Sequence, residues 1–132
     1  MIKIHPKFPP KHYQVLQVIQ YLNEHYPIAN ANITFRYDPV DRYPYKKGQF
    51  ICGYCRAVNE TAKVKIASKD SFIRTIAKTT VHEYMHCIQF IQRGIDISDK
   101  NRDMLEKEAN DFADTILHKI WEEKGIFCPS ST

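Results

Sequence analysis

Two histidines four residues apart, His82 and His86, enclose a glutamate in the run His82-Glu83-Tyr84-Met85-His86. On a helix, residues i and i+4 stand one above the other, so both imidazoles can reach a single metal ion. Glu83 is turned by about 100° from His82. It borders the same face and can serve a water molecule without ligating the metal. The donor set suits Zn2+, which lowers the pKa of a bound water toward about 7 and polarises a carbonyl. A glutamate beside that water takes its proton and hands it to a leaving amine. The chemistry expected of these residues is Glu-assisted hydrolysis of a peptide bond in a protein or peptide substrate.

A catalytic zinc takes three protein ligands and keeps one position open. Candidates for the third lie downstream, in Leu105-Glu106-Lys107-Glu108-Ala109-Asn110-Asp111-Phe112-Ala113-Asp114. Leu105, Ala109, Phe112, Ala113, Ile116, Leu117 and Ile120 share one helical face. Glu106 falls about 50° from the centre of that face and Glu108 about 110° away. Glu106 therefore looks toward the helix it packs on, and Glu108 looks outward. Asn110, one turn beyond Glu106, is placed to brace it or a ligating histidine. Ala109 and Ala113 are small enough to let two helices approach closely.

The elements that must position these groups follow from periodicity and punctuation. Val15, Leu16, Val18, Ile19 and Leu22 recur at helical spacing between Lys11 and Tyr26, after Pro9-Pro10 and before Pro27. Ile33 to Tyr37 alternates as a strand, and residues 38–48, with Pro39, Pro44 and Gly48, read as a loop. Gln49 to Val58 and Lys63 to Ala67 are strands joined by a turn at Asn59-Glu60-Thr61. In the second of them Val64 and Ile66 alternate with lysines, as on a half-buried edge strand. Ser68 to Ser71, Asp70 among them, offers helix caps. A long helix from Phe72 to about Gln92 ends at Gly94, and a last helix from about Arg102 to Lys124 ends at Gly125. The expectation is one α+β domain over residues 1–132.

H-E-x-x-H followed by E-x-E-A-N-x-F-A, Glu106 to Ala113, resembles the ImmA/IrrE-like metallopeptidases, relatives of the gluzincins. The resemblance spans roughly Gly53 to Leu117, with Tyr54 at the start of the hairpin, the strand Val64 to Ala67 and both later helices. It implies a minimal zincin-like domain: an N-terminal helix, a small antiparallel sheet with an edge strand beside the H-E-x-x-H helix, and a C-terminal helix supplying the third ligand. It further implies His82, His86 and Glu106 as zinc ligands, Glu83 as general base, and a regulatory protein or repressor as substrate. Residues Cys87-Ile88-Gln89-Phe90 depart from the small, aliphatic run usual after the second histidine.

Tyr54 and Tyr84 could donate to an oxyanion. Tyr84 is turned away from His82 and reads as packing, so Tyr54, on the strand flanking the site, is the catalytic candidate. Cys52-Gly53-Tyr54-Cys55 is a C-x-x-C that would need two more ligands, Cys128 with Cys87 or a histidine, to complete a second metal site; two reduced strand cysteines is the simpler reading. His5, His12, His25 and His118 have no partner spacing and read as surface residues. An extended peptide could add to the edge strand Val64 to Ala67 by backbone pairing.

The net charge of +4 is mild, with 19 basic residues mixed among 15 acidic ones. The basic residues are dispersed, with a slight cluster from Arg36 to Lys47, so nucleic acid is not the expected partner. No apolar run reaches the roughly 18 residues that a membrane span needs, and the first residues do not read as a signal sequence. The expected setting is cytoplasmic, with reduced cysteines. The rival class is a non-catalytic zinc-containing protein that sequesters a regulatory partner.

Overall fold

A computed structural model describes residues 1–69 and 71–128, and in chain order they form β1 (Ile2–Ile4), α1 (Tyr13–His25), β2 (Asn32–Asp38), β3 (Tyr43–Pro44), β4 (Phe50–Ile51), β5 (Gly53–Val58), β6 (Thr61–Ala67), α2 (Ile73–Cys87), a π-helical turn (Ile88–Gln92) and α3 (Arg102–Lys124). The fold is α+β, with a four-stranded sheet in the order β1-β2-β6-β5 and a separate two-stranded antiparallel ribbon, β3-β4. Asp70 and the tail from Pro129 lie outside the described residues. No helix among the described residues is long and apolar enough to cross a membrane.

The main sheet is mixed, which corrects the expectation of an antiparallel one. β1, β2 and β6 run parallel, and only β5 pairs antiparallel, on β6. The β5–β6 hairpin was legible because its turn is local, and Asn59 takes the left-handed φ of 56° that asparagine tolerates. The β2–β6 pairing is not local. Residues 39–60 carry the chain back to the end of the sheet at which β2 began, as a parallel pair requires.

A second correction concerns the edge. β6 is an interior strand, paired on both sides, and the edge near α2 is β5. The alternation of Lys63 and Lys65 with Val64 and Ile66 reports that one face of the strand is solvated. It carries no information about hydrogen bonding along the strand's two sides, because side chains stand perpendicular to those bonds. β1, the opposite edge, is three residues long and too short to show a period.

One face of the sheet is covered by helices. Ile33, Phe35 and Tyr37 of β2 and Ala62, Val64 and Ile66 of β6 point into that layer and are almost wholly buried. Each fully buried side chain of valine, isoleucine or phenylalanine contributes about 1.5–3 kcal/mol through the area it removes from water. α1 begins at Tyr13 rather than Lys11: His12 is extended, with φ −113° and ψ 127°, and offers no side-chain cap. α2 lies over β5 and β6 between α1 and α3. Its second half is buried on nearly all sides, from Thr80 and Val81 to Cys87. α3 spans the expected residues and ends at Gly125, in the left-handed conformation at φ 73°. It sets Leu105, Ala109, Ala113, Ile116, Leu117 and Ile120 into the core, and the two alanines are fully buried where α3 meets α2.

Candidate metal centre

The i, i+4 spacing on α2 brings the imidazoles of His82 and His86 together, with ring centroids 4.8 Å apart and Nε2 atoms 3.2 Å apart. Across the α2–α3 contact, Glu106 directs its two carboxylate oxygens at the same point. Oε2 lies 3.1 Å from His82 Nε2, and Oε1 lies 2.9 Å from His86 Nε2. The three residues form a group whose ligand atoms all lie within 4.8 Å of one another, a separation a metal ion can bridge.

Each histidine is held from behind. His82 Nδ1 meets Asn110 Oδ1 at 2.9 Å, and His86 Nδ1 meets Gln89 Oε1 at 2.8 Å. For His86 the network decides the tautomer. The Gln89 amide nitrogen donates to Leu105 O at 3.1 Å and to Glu108 Oε1 at 2.9 Å, so its oxygen is the acceptor. His86 must then donate from Nδ1, which turns Nε2 toward Glu106. Gln89 is fully buried on the π-helical turn that follows α2. Such turns are frequent at functional sites.

The electrostatics converge on the same point. Hydrogen bonds from His82 and His86 hold the Glu106 carboxyl far below the usual carboxylate range. Burial opposes charge on His86, yet the bond to Glu106, the nearby Glu83 carboxylate and the bond to Gln89 raise its pKa to about 9. Glu83 is 4% exposed and its Oε2 is buried without a hydrogen-bond partner. Burial raises its pKa, against the opposing pull of His86 and His82. A carboxylate so placed is primed to accept a proton.

A cleft of about 620 Å3 opens beside Glu83 and is lined by His82, Glu106, Asn110, Thr79 and the β4–β5 junction at Cys52 and Gly53. Gly53 lets the edge strand lie directly against α2. A Cβ there would stand 2.8 Å from Thr79 Cγ2, 3.0 Å from Lys65 O and 3.6 Å from Glu83 Cγ. Arg74 and Lys78 also line the cleft, two turns and one turn before His82 on the same stripe of α2. Arg74 reaches Phe127 O at 3.1 Å, and Lys78 pairs with Asp114 at 3.0 Å.

The structure brings together His82, Glu83, His86 and Glu106, with Asn110 in the bracing role. Glu108 is engaged elsewhere, by Arg93 at 2.7 and 2.8 Å and by Gln89, so of the two glutamates it is Glu106 that faces the histidines. Tyr54 is not brought to the site, a correction with a simple cause. Gly53 and Cys55 face α2, so strand alternation turns Tyr54 to the opposite face, where its ring packs edge-on against Tyr43 with centroids 5.1 Å apart. Tyr84 is buried and donates to Tyr26 O, as a packing residue does.

The C-x-x-C does not act as a pair. Cys52 is exposed at the cleft, whereas Cys55 Sγ sits 3.4 Å from Cys87 Sγ. Among the described residues, no group containing a cysteine assembles as a candidate metal site. His25 and His118 are exposed, the latter 2.7 Å from Glu122, while His5 and His12 are half-buried. Sequence reasoning missed Gln89 and Gly53. The first stands three residues after His86, a spacing that could have revealed it; the second needed the strand's approach to α2.

Comparison of the chain with protein-family models, with curated proteins and with solved structures finds no match.

Proposed function

We propose that the chain is a zinc-dependent peptidase of ImmA/IrrE-like, zincin-type organisation. His82, His86 and Glu106 would hold the metal, and Glu83 would be the general base. The observation that carries this reading is the convergence of three ligand atoms, those of His82 and Glu106 at the wall of the cleft and that of His86 buried behind them, beside a buried carboxylate with an unpartnered oxygen.

The residues fit zinc. Ligands about 2.1 Å from a tetrahedral centre stand roughly 3.4 Å from one another, and the closest separations here run from 2.9 to 3.2 Å. Two imidazoles and one carboxylate are a catalytic rather than a structural donor set, since a fourth protein ligand is not needed. When bound, zinc would supply Lewis acidity, polarising a carbonyl and making water a stronger acid.

The chain's own groups do the rest. Glu83 Oε2 takes the proton of the attacking water and returns it to the departing amine, a role that burial suits by raising its basicity. Asn110 and Gln89 keep both imidazoles aimed. β5, the edge strand at the cleft, is the place for an extended substrate to add by backbone pairing.

Zinc stoichiometry of the purified chain and of its Glu106→Ala and Glu108→Ala variants tests the ligand set, and a peptide-library cleavage assay of wild type beside Glu83→Gln tests the chemistry. One zinc per chain, lost with Glu106 and kept with Glu108, together with cleavage abolished by Glu83→Gln, is the expected result. Zinc without cleavage would mark a sequestering protein instead. No stoichiometric metal would sink the reading.

A further inference from the structure

The face of the main sheet turned away from the helices collects cations that lie far apart in the chain. Strand register sets Arg36 of β2 beside Lys65 of β6, and Lys63 of β6 directly opposite Arg56 of β5. Lys3 of β1 stands beside Thr34 in the same register. Like charges facing each other across a strand pair destabilise a sheet, so folding alone does not account for this arrangement. α3, in the helix layer on the other side, carries seven of the chain's 15 acidic residues. Against them the same helix sets four basic residues, Arg102, Lys107, Lys119 and Lys124, so α3 is net acidic and the modest net charge conceals a partial separation of sign.

Two further observations narrow what the face could hold. A hollow of about 530 Å3 opens over Thr34, Arg36, Lys63 and Lys65, with Tyr54 and Arg56 on its β5 side, and no acidic residue lines it. The nearby Asp38 is already engaged, by the Arg36 guanidinium and by the Tyr43 hydroxyl at 2.7 Å. Tyr54 is half-buried in this hollow between two cations, the Arg56 guanidinium 5.4 Å and the Lys65 ammonium 5.8 Å from its ring centroid.

We propose that this face binds single-stranded nucleic acid, with phosphates on Lys63, Lys65 and Arg56 and a base stacked at Tyr54. Unmatched cations in strand register meet the regular charge of a phosphodiester chain, and an aromatic ring among them gives a base a stacking partner. An acidic peptide would use the cations and leave the ring without a role. A duplex, its bases already stacked, offers phosphates only. This site is separate from the metal centre, since it lies on the opposite face of the sheet, so the two readings can fail independently.

The test is fluorescence anisotropy of the full chain with a labelled mixed-sequence single-stranded 12-mer, as DNA and as RNA, from 50 to 300 mM salt. A matching duplex and polyglutamate serve as competitors, and circular dichroism verifies the fold. Three phosphate contacts on a single strand predict a log–log salt slope of about −2. Lys63→Glu combined with Arg56→Glu should weaken binding by about tenfold or more. Should that pair disturb the sheet, Lys63→Ser with Lys65→Ser keeps the test sharp. Tyr54→Leu should weaken binding about five- to tenfold while leaving the salt slope unchanged, and Tyr54→Phe should restore it. Glu83→Gln should bind as wild type does. Absence of salt-dependent binding at 50 mM would overturn the proposal. So would competition by duplex or polyglutamate equal to that of the single strand, with no effect of Tyr54→Leu, because that pattern belongs to a bare cationic surface for an acidic partner.

Discussion

The metal centre and the open face of the sheet treat charge in opposite ways. At the centre, two imidazoles and a carboxylate meet within hydrogen-bond distance, and amide oxygens from Asn110 and Gln89 satisfy the nitrogens behind them. Charge there is balanced and partly buried, and rearranging any member leaves another unpaired. On the sheet face, Arg56 opposes Lys63 and Arg36 flanks Lys65, with solvent screening the repulsion. In the first region three candidate ligand atoms already converge, a geometry compatible with a metal ion. In the second, Asp38 pairs with Arg36, and Arg56, Lys63 and Lys65 remain as a surplus of positive charge on the open face. One small fold tolerates both because the sheet separates them.

That contrast can be broken at its strongest point first. Glu83→Gln removes the proton acceptor while keeping shape, so kcat/KM on a cleaved peptide should fall by about 10²–10⁴-fold. Zinc content should stay at one per chain, and an unchanged rate would remove Glu83 from the chemistry. Next, Gln89→Leu deletes the group that fixes the His86 tautomer. Zinc affinity, measured by competition with a chromogenic chelator, should drop by about 10–100-fold. An unaltered affinity would show that the brace does not orient His86.

Gly53→Val probes the close approach of β5 to α2. The added side chain collides with Thr79 and the Lys65 carbonyl, and overpacking of this kind costs about 1–3 kcal/mol. A lower melting temperature and a reduced kcat, with zinc retained, are expected; a neutral effect would mean that the strand yields freely. The smallest effect belongs to the sheet face. Lys63→Glu places a carboxylate opposite Arg56, converting repulsion to attraction for a gain of about 0.2–1 kcal/mol. Thermal melting should then rise by about 1–4 °C, whereas a fall would show that Lys63 already has a favourable role in the folded chain.

Legibility in the sequence followed the range of the interaction. His82, Glu83 and His86 lie within five residues on one helix, so spacing alone announces a shared face. Glu106 required one more step, the side of α3 on which it falls, and the apolar periodicity of that helix supplied it. The bounds of α3 were readable because Gly125 punctuates the end. The order of the sheet was not readable: alternation in β6 distinguishes its two faces but is silent about its neighbours. Tyr54 was misplaced for a related reason. Its parity on β5 becomes meaningful only when the register of Gly53 against Ile66 shows which residues face α2.

By itself, then, the sequence determined the α+β content, the helix that carries the His-Glu-His motif and the short list of groups able to ligate a metal, all of which rest on contacts a few residues long or on a single helical period. Tertiary structure decided that Gln89 locks His86, that β5 takes the edge, and that Arg36, Arg56, Lys63 and Lys65 share one face. Those outcomes depend on which distant segments pair and in what register, and register is set by the burial of the whole core, which no local spacing encodes.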